Sequence, residues 1–354
     1  MSQNQLLQGA LLVHKPQGIS SFGVIDALKK IIRTEMELEL NSDRSGPAAA
    51  GEPKRVRFRE LPKLGHGGTL DPFATGLLIV CIGRGVKLSR YFLGSVKKYE
   101  ACLRFGETTV PGDPTSEISE RSSVLPSSLE ELNRLALEFK SQEYSQTPPM
   151  HSAKKINGQV LYELAREGIE IERTPKVCTL HDFEFLDFEK NPPLARSHFR
   201  VSCSSGTYIR TLSQDFSKRL GTVGMLDTLH RTGSGIFGIE KSMTLETLKE
   251  ASECGSSWAD LPGFVSFDRL LDGYPYAAAS FQEAEAIVQG KQQYLPSILE
   301  KRKPARSSQS AVAGHENHIV IYFEDRLLAV AALENGAWGL ERVFPEALTQ
   351  TTTV

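Results

Sequence analysis

The sequence predicts an α+β fold: a mixed, largely antiparallel sheet flanked by helices, followed by a small β-rich domain. Residues 97–105 and 199–203 alternate apolar and polar side chains with the period of two that is typical of half-buried strands. Helical patterns at 129–139, 160–167 and 208–220 are interspersed with these strands in an irregular order. Alternating strands favour antiparallel pairing, because only one face of each strand has to be covered.

The N-terminal residues predict a strand, a turn and a helix. Residues 9–14 (GALLVH) form a short apolar run, and residues 15–18 (KPQG) form a turn. Ser20 or Ser21 can cap the helix that follows. The predicted apolar face of this helix consists of Phe22, Ile25, Leu28 and Ile32.

Residues 34–62 interrupt the helical pattern and predict a flexible surface insertion. They contain a run of alternating glutamates, a Gly/Pro/Ala-rich stretch (GPAAAGEP) and a basic cluster. The cluster consists of Lys54, Arg55, Arg57 and Arg59. Two interpretations of it stay open: a solvated face, or a strip that contacts phosphates.

A change of composition near Gly273 predicts a domain boundary there. Beyond it come a helical pattern at 281–288, a polar and basic stretch at 291–310, and three short strands. We therefore expect a domain of residues 1–272 and a second of residues 273–354. The three strands are predicted at 318–323, 327–333 and 339–343.

The overall charge is nearly balanced, but its distribution is not. Lys and Arg number 41 and Asp and Glu number 43, which gives a formal net charge of −2 and by itself favours a small-molecule enzyme. However, residues 84–104 hold six basic side chains against one acidic, and residues 54–63 hold five against one. Because both segments flank the loop 65–76 in the sequence, we expect a basic cleft around that loop.

The sequence shows no sign of a membrane segment or a secretory signal. The longest apolar runs, such as 77–82, are far shorter than the roughly 18 residues that a membrane span needs. The five cysteines are scattered and form no Cys-x-x-Cys pair. We therefore expect reduced thiols in a cytoplasmic protein with no metal site and no disulfide framework.

The loop 65–76 (GHGGTLDPFATG) is the candidate site of chemistry. Three glycines surround His66, and Pro72 biases Asp71 toward an extended conformation. A rigid loop that presents one carboxylate suits nucleophilic or general-base catalysis. A nucleotide-binding loop fits less well, since neither Gly-Lys-Ser/Thr nor Gly-x-Gly-x-x-Gly is present. On spacing alone, a plain Asp-Pro turn stays open.

Six segments, taken in order, resemble motifs of the TruB family of pseudouridine synthases. The loop 65–76 is similar to the signature loop of that family. The other five are 9–21 (GALLVHKPQGISS), 97–99 (KKY), 148–168 (PPMHSAKKINGQVLYELAREG), 206–210 (GTYIR) and 229–237 (LHRTGSGIF). One such match would be weak, but six in order across residues 9–240 are specific. The part beyond 273 resembles, much more weakly, a PUA-type RNA-binding module.

The resemblance implies a role for three residues in particular. Asp71 corresponds to the catalytic carboxylate, and Tyr99 to a tyrosine that stacks on a flipped-out base and can help with its C5 proton. Arg210 corresponds to an arginine that pairs with the catalytic aspartate and holds it ionised and oriented. From the residues alone, Tyr99 could equally extend the apolar face of its strand, and Arg210 could bind a carbonyl or solvent.

Five further residues match positions of the family's site. Tyr208 and Leu229 correspond to residues that line the uracil pocket, although Leu229 is nearly as well explained as ordinary core. His66 corresponds to a histidine that fills the space left by flipped bases, although a loop histidine can simply be a surface donor. Lys15 and Pro16 are expected to support the pocket.

The chain departs from the family pattern at two places near these motifs. His14 stands where most members have Asp or Asn, and His151 stands where the pattern has tyrosine. The roles of the family residues at these two positions are therefore not carried over to His14 and His151.

The resemblance implies an isomerase that converts uridine to pseudouridine in the T-arm of tRNA, at position 55, with no cofactor. It also implies a pseudouridine synthase fold with an RNA-binding insertion at about 141–176, and we expect a monomer. Three other functions fit parts of the pattern. These are a guide-RNA-dependent, dyskerin-like synthase, a tRNA-binding chaperone with dispensable catalysis, and an aspartate-nucleophile hydrolase of small substrates.

Overall fold

A computed structural model describes residues 7–42, 54–152, 154–156, 158–307 and 317–349. Within these residues there are nine α-helices. In chain order, α1 to α9 are Ser21–Ser42, Ser89–Leu93, Leu129–Ser141, Leu161–Arg166, Ile209–Arg219, Leu245–Glu253, Phe281–Val288, Leu295–Glu300 and Glu346–Thr349.

The same residues form twenty strands. In chain order, β1 to β20 are Gly9–Lys15, Leu64–His66, Thr75–Ile82, Lys97–Phe105, Glu107–Thr109, Ile118–Arg121, Tyr144–Gln146, Lys155–Ile156, Gln159–Val160, Lys176–Cys178, Leu180–Phe185, Glu189–Asn191, Leu194–Cys203, Gly224–Ser234, Phe237–Gly238, Phe264–Ser266, Tyr276–Ala278, His318–Phe323, Arg326–Glu334 and Ala337–Val343.

The central sheet has the strand order β11-β13-β4-β14-β3-β1-β16, with β2, β12 and β15 paired at its margins. Every neighbouring pair is antiparallel except β14 and β3, which run parallel through His230–Thr75 and Arg231–Gly76. This confirms the predicted mixed, largely antiparallel sheet. The parallel pair places the start of β3, just after Asp71, beside the middle of β14.

The sheet is covered by two main groups of helices. Helices α3 and α5 pack Leu132, Leu135 and Phe216 against strands β4, β11 and β13. Helix α1 covers β1 and β3 through Ile25, Leu28 and Ile32, as their spacing predicts. Phe22 departs from that prediction: it is 68% exposed, because it lies in the first turn and on the outer side of α1.

The predicted break at residue 34 is wrong, because α1 continues to Ser42. Glu35 is buried against the core, and the Arg33 Nε to Glu37 Oε1 ion pair of 3.0 Å supports the helix at i, i+4 spacing. The next part of the predicted insertion, residues 43–53, lies outside the described residues. From residue 54 the chain packs back onto α1, and Val56 is buried there.

The predicted RNA-binding insertion at about 141–176 is bounded by a strand pair. Strand β7 pairs with β10 through Ser145 and Val177, so the chain leaves and re-enters the body at one place. Between them lie the two-stranded β8–β9 hairpin and α4. The helix predicted at 160–167 is observed as the shorter α4, because residue 160 belongs to strand β9.

The C-terminal part contains the sheet β17-β18-β19-β20, with the three predicted strands in place. The polar stretch predicted at 291–310 instead contains α8, whose Leu295 and Ile298 are buried. Tyr322 and Phe344 share one apolar cluster with Leu12 and Phe267 of the preceding part. The division at residue 273 stays a prediction. No helix among the described residues is long and apolar enough to span a bilayer.

Candidate active site

Asp71 lies in the loop between β2 and β3, and hydrogen bonds from outside the loop define its shape. The Ser21 hydroxyl at the start of α1 lies 2.8 Å from the Leu70 amide and 3.1 Å from the Leu70 carbonyl oxygen. The Gly18 amide donates to the Pro72 carbonyl at 2.8 Å. Inside the loop, the Ala74 amide donates to the Asp71 carbonyl at 3.1 Å. The backbone on both sides of Asp71 is thus held by the N-terminal segment.

The end of the loop requires a glycine. Gly76 has φ +105°, and a Cβ there would lie 2.4 Å from the Arg231 carbonyl oxygen of β14. Side chains rarely adopt this φ, and the contact leaves no room for one. Gly76 thereby lets β3 approach β14 closely, which places the Asp71 loop at one edge of the pocket.

Arg210 at the start of α5 holds the Asp71 carboxylate from the other side. Its Nε donates to Asp71 Oδ2 at 2.8 Å and its Nη2 to Asp71 Oδ1 at 3.2 Å. Its remaining donors reach the Pro111 and His151 carbonyl oxygens at 2.9 and 2.8 Å. The side chain of Arg210 is 4% exposed and that of Asp71 is 32% exposed. This bidentate pair fixes the carboxylate and leaves it open to the pocket.

Two features around Arg210 were not evident from the sequence. Asp113 is a second buried carboxylate, with Oδ2 at 3.6 Å from Arg210 Nη1. His151 contributes its backbone carbonyl to Arg210, so this contact does not depend on the side chain that departs from the family pattern. Contacts between residues 59 or more positions apart have no periodic signal in the sequence.

The loop borders a cavity of about 550 Å³. Five of the predicted site residues line it: Asp71, Tyr99, Tyr208, Arg210 and Leu229. Tyr99 and Leu229 are mostly buried, and burial raises the pKa of Tyr99, so its phenol stays protonated at neutral pH. The cavity therefore combines one carboxylate, two tyrosines and an apolar wall.

The other three predicted residues lie behind or beside the cavity. Lys15 Nζ donates to the carbonyl oxygens of Ala74 at 2.6 Å and Pro16 at 2.8 Å, and burial lowers its pKa to about 8 although the Asp71 charge opposes this shift. His66 packs its ring edge-on against Phe22, with 5.3 Å between ring centroids. Burial also lowers the pKa of His66, which favours the neutral imidazole.

Two buried cations support the site, although neither was assigned a role from the sequence. Arg231 donates to the carbonyl oxygens of Leu77 at 2.7 Å, Gly68 at 3.1 Å and Thr69 at 3.3 Å, and so ties both ends of the loop to β14. Lys97 Nζ donates to the Phe92 and Ser95 carbonyl oxygens at 2.7 and 2.8 Å. Burial lowers the pKa of Lys97 to about 7.

The expected basic cleft does not arise from the segment 84–104 as a whole. Arg104 is paired with Glu107 and Asp227, and Arg90 lies 2.7 Å from Glu341. Sequence proximity to the loop is thus a poor guide, because neighbouring acidic groups neutralise these cations. The cavity is nevertheless basic: against Asp71, its lining within the described residues includes Lys97, Lys154, Lys176, Arg210 and Arg231.

No group of three or more His, Cys, Asp or Glu side chains able to hold a metal ion occurs in the described part of the chain.

Comparisons with known proteins give a consistent family. Residues 54–209 match the model of the TruB family pseudouridylate synthase (N terminal domain). The chain is 33% identical to a tRNA pseudouridine synthase B of Francisella philomiragia subsp. philomiragia, over 98% of each protein. It is 35% identical to one of Dechloromonas aromatica, over 97% of this chain and 96% of that protein.

Solved structures with the same fold include a Cbf5-Nop10-Gar1 complex. The TM-score is 0.65 at 21% sequence identity, and the match covers 97% of this chain and 87% of that one. At this identity the likeness concerns the fold alone. It extends over both the sheet that carries the candidate site and the C-terminal strands.

Proposed function

Because the chain belongs to the TruB family of pseudouridylate synthases, we propose that the Asp71 site isomerises uridine in tRNA to pseudouridine. The protein is an isomerase that acts on tRNA, as its curated relatives are. The observation that carries the assignment to this site is the Asp71 carboxylate. Arg210 holds it in a bidentate contact at the edge of a basic cavity.

The reaction explains why one carboxylate in such a cavity suffices. The uracil is detached at the C1′–N1 bond and rejoined to C1′ through C5; C5 loses its hydrogen and N1 gains one. Atoms and electrons balance without an oxidant or reductant. A carboxylate can act here as a nucleophile or as a base, and both paths start from the same oriented Asp71.

The surroundings of Asp71 fit a nucleotide that has left its stack. A base inside a helix cannot reach a recessed carboxylate, so the target has to be flipped out. Tyr99 provides an aromatic ring for the flipped base, and its protonated phenol is a hydrogen-bond donor beside it. Lys154 and Lys176 on the exposed side of the cavity provide charges for the flanking phosphates.

We further propose that the target is the T-arm, at position 55, and that the protein acts alone as a cytoplasmic monomer without a cofactor. The names of the curated relatives support action on tRNA. The likeness to the Cbf5 complexes concerns the fold and therefore does not favour the guide-dependent alternative. In the same proposal, residues 141–176 and 273–354 add RNA contacts outside the catalytic body.

The decisive experiment uses a bare tRNA transcript with no guide RNA. We expect pseudouridine at one T-arm uridine with the wild type, and a loss of at least ~10⁴-fold with Asp71→Asn, because the amide can act neither as nucleophile nor as base. Asp182→Asn, an exposed aspartate on β11, is the matched control and should retain full activity.

Two results would contradict the proposal. Wild-type protein that binds tRNA but forms no pseudouridine would leave the chaperone function. Activity that appears only after a guide RNA is added would establish the dyskerin-like alternative.

A further inference from the structure

A second basic surface lies outside the cavity, on residues 54–63, here called the 54–63 strip. Five cations of this strip are exposed, and the strip contains one acidic residue, Glu60. Among the described residues, none of the five has a carboxylate within 4.0 Å, whereas most cations of the segment 84–104 are paired or buried. The five are Lys54, Arg55, Arg57, Arg59 and Lys63.

The strip is anchored to α1 at defined points. The Val56 side chain is buried, and its amide donates to Glu37 Oε1 at 3.0 Å. The Lys54 amide donates to Asn41 Oδ1 at 3.0 Å, and the Arg57 amide donates to Glu60 Oε2 at 2.8 Å. Since the Lys54 and Val56 amides are bound to α1 and the Arg57 amide is bound within the strip, the exposed basic side chains extend from a fixed backbone.

An exposed aromatic ring lies between the basic side chains. Phe58 is 60% exposed, and the Arg33 guanidinium of α1 covers one of its faces at 5.2 Å from the ring centroid. The rest of the ring is open to solvent. Positive charges interleaved with an aromatic ring are the combination that binds single-stranded or unpaired nucleic acid, because phosphates pair with the cations and bases stack on the ring.

The strip lies well away from Asp71, by two independent measures. Ser21 contacts the catalytic loop and Arg33 contacts Phe58, so twelve residues of α1 separate them, or about 18 Å. Leu64 directly follows the strip and pairs with Ile82 at the end of β3. Thr75, at the start of β3, belongs to the catalytic loop. The seven residue steps along β3 from Thr75 to Ile82 therefore separate the loop from the strip by about 23 Å.

One side of α1 connects the two places; Phe22 on it is exposed, and the Lys29 and Arg33 side chains are partly buried. Phe22, Lys29 and Arg33 recur at i, i+7 and i+11, so they lie on one side of the helix. Phe22 contacts His66 beside the catalytic loop, and Arg33 contacts Phe58 on the strip. A nucleic acid that leaves the cavity along this side therefore reaches the strip.

We propose that the 54–63 strip binds the sugar-phosphate backbone of the tRNA about 20 Å from the reacting uridine, with an unpaired base or ribose against Phe58. The proposal rests on the proposed function, because the same tRNA occupies both surfaces. The strip therefore contributes affinity for the whole tRNA and has no part in the chemical step.

The test measures the kinetics of the wild type and of the triple variant Arg55→Gln, Arg57→Gln and Arg59→Gln on two substrates. One substrate is the full tRNA transcript, and the other is a hairpin that carries the T-loop on three G·C pairs and ends short of the strip. For the tRNA we expect KM to rise about tenfold or more with kcat unchanged, and the slope of log Kd against log salt to fall by about three. For the hairpin we expect no change.

A second variant tests the aromatic ring. Phe58→Ala should raise KM for the tRNA about fivefold or more and leave the salt slope unchanged, because stacking releases no counterions. Phe58→Trp should restore the wild-type KM.

The matched control removes the same amount of charge elsewhere. Arg121, Lys140 and Arg219 are also exposed, and their triple change to Gln should leave both substrates unaffected. An equal rise of KM for tRNA and hairpin, or no rise for either, would overturn the proposal. The proposal would also be overturned if the triple variant of the strip lost binding to anionic lipid vesicles while its KM for the tRNA stayed at the wild-type value. Failure of the proposed function is distinguishable, because the wild type would then modify neither substrate.

Discussion

Two sets of cations in this protein have opposite surroundings. The loop cations Lys15, Lys97, Arg210 and Arg231 are at most 6% exposed, and their donors bind carbonyl oxygens and the Asp71 carboxylate. The cations of the 54–63 strip are exposed. The loop cations replace lost hydration with fixed bonds and so shape the loop, whereas the strip cations keep their hydration and can exchange it for phosphate.

The comparison shows what a charge count leaves out. Each cation of either set adds the same single charge to the formal net charge of −2, yet we expect one set to govern stability and the chemical step and the other to govern affinity for RNA. Substituting members of each set should therefore affect different measurements.

Among the cations of the two sets, the largest effect is expected for Arg210→Lys. A lysine keeps the charge but cannot make the bidentate contact with Asp71, so we expect kcat to fall about 10²- to 10³-fold while KM changes little. Single-turnover kinetics on tRNA would measure this. Arg219→Lys, on the same helix but exposed, is the control and should be silent. Equal activity of Arg210→Lys and wild type would show that the bidentate contact does not orient Asp71.

The next effect concerns folding. Arg231→Gln leaves the carbonyl oxygens of Gly68, Thr69 and Leu77 without their buried donor, and we expect a loss of about 2–4 kcal/mol in the free energy of unfolding. Urea denaturation would measure it. Arg196→Gln removes an exposed partner of Asp227 and should cost less than about 1 kcal/mol. A cost no larger than this control would contradict a structural role for Arg231.

A third prediction concerns pH. Burial lowers the pKa of Lys97 to about 7, below its ordinary value of 10.5, so the unfolded chain binds more protons between these values. The Lys97 contribution to stability therefore increases from about pH 7 toward pH 10.5. We expect Lys97→Met to lose this increase, which urea denaturation at pH 7, 8 and 9 would detect. Lys98→Met, at the exposed neighbour, should keep the wild-type pH dependence. Parallel wild-type and Lys97→Met profiles would contradict the prediction.

The smallest effect on stability is expected on the strip. The triple Arg-to-Gln variant of residues 55, 57 and 59 removes no buried contact of a side chain, so the free energy of unfolding should change by less than about 0.5 kcal/mol. Thermal unfolding of the variant would measure this. A marked loss would place these arginines with the loop cations and remove the contrast between the two sets.

Patterns of short range were predictable from the sequence. Residues 97–105 form a strand because alternation has a direct local meaning, and the predicted helix 281–288 is observed at the same residues. The break at residue 34 was wrong because glutamates and weak periodicity do not end a helix whose inner face still has a core to cover. Likewise, helical spacing placed Phe22 in the core, although Phe22 lies on the outer side of α1 and is exposed.

By itself, the sequence determined several of the sheet-forming segments, the loop with Asp71 and, through six ordered motifs, the family, but it did not indicate the central strand β14. Only the tertiary structure decided which cations surround that loop. Arg210 meets Asp71 across 139 positions and Arg231 meets Gly68 across 163, through the pairing of β14 with β3 and the packing of α5. Burial and pairing depend on every element that closes around a charge, so the same residue type acts as a support in one place and as a candidate ligand for RNA in another.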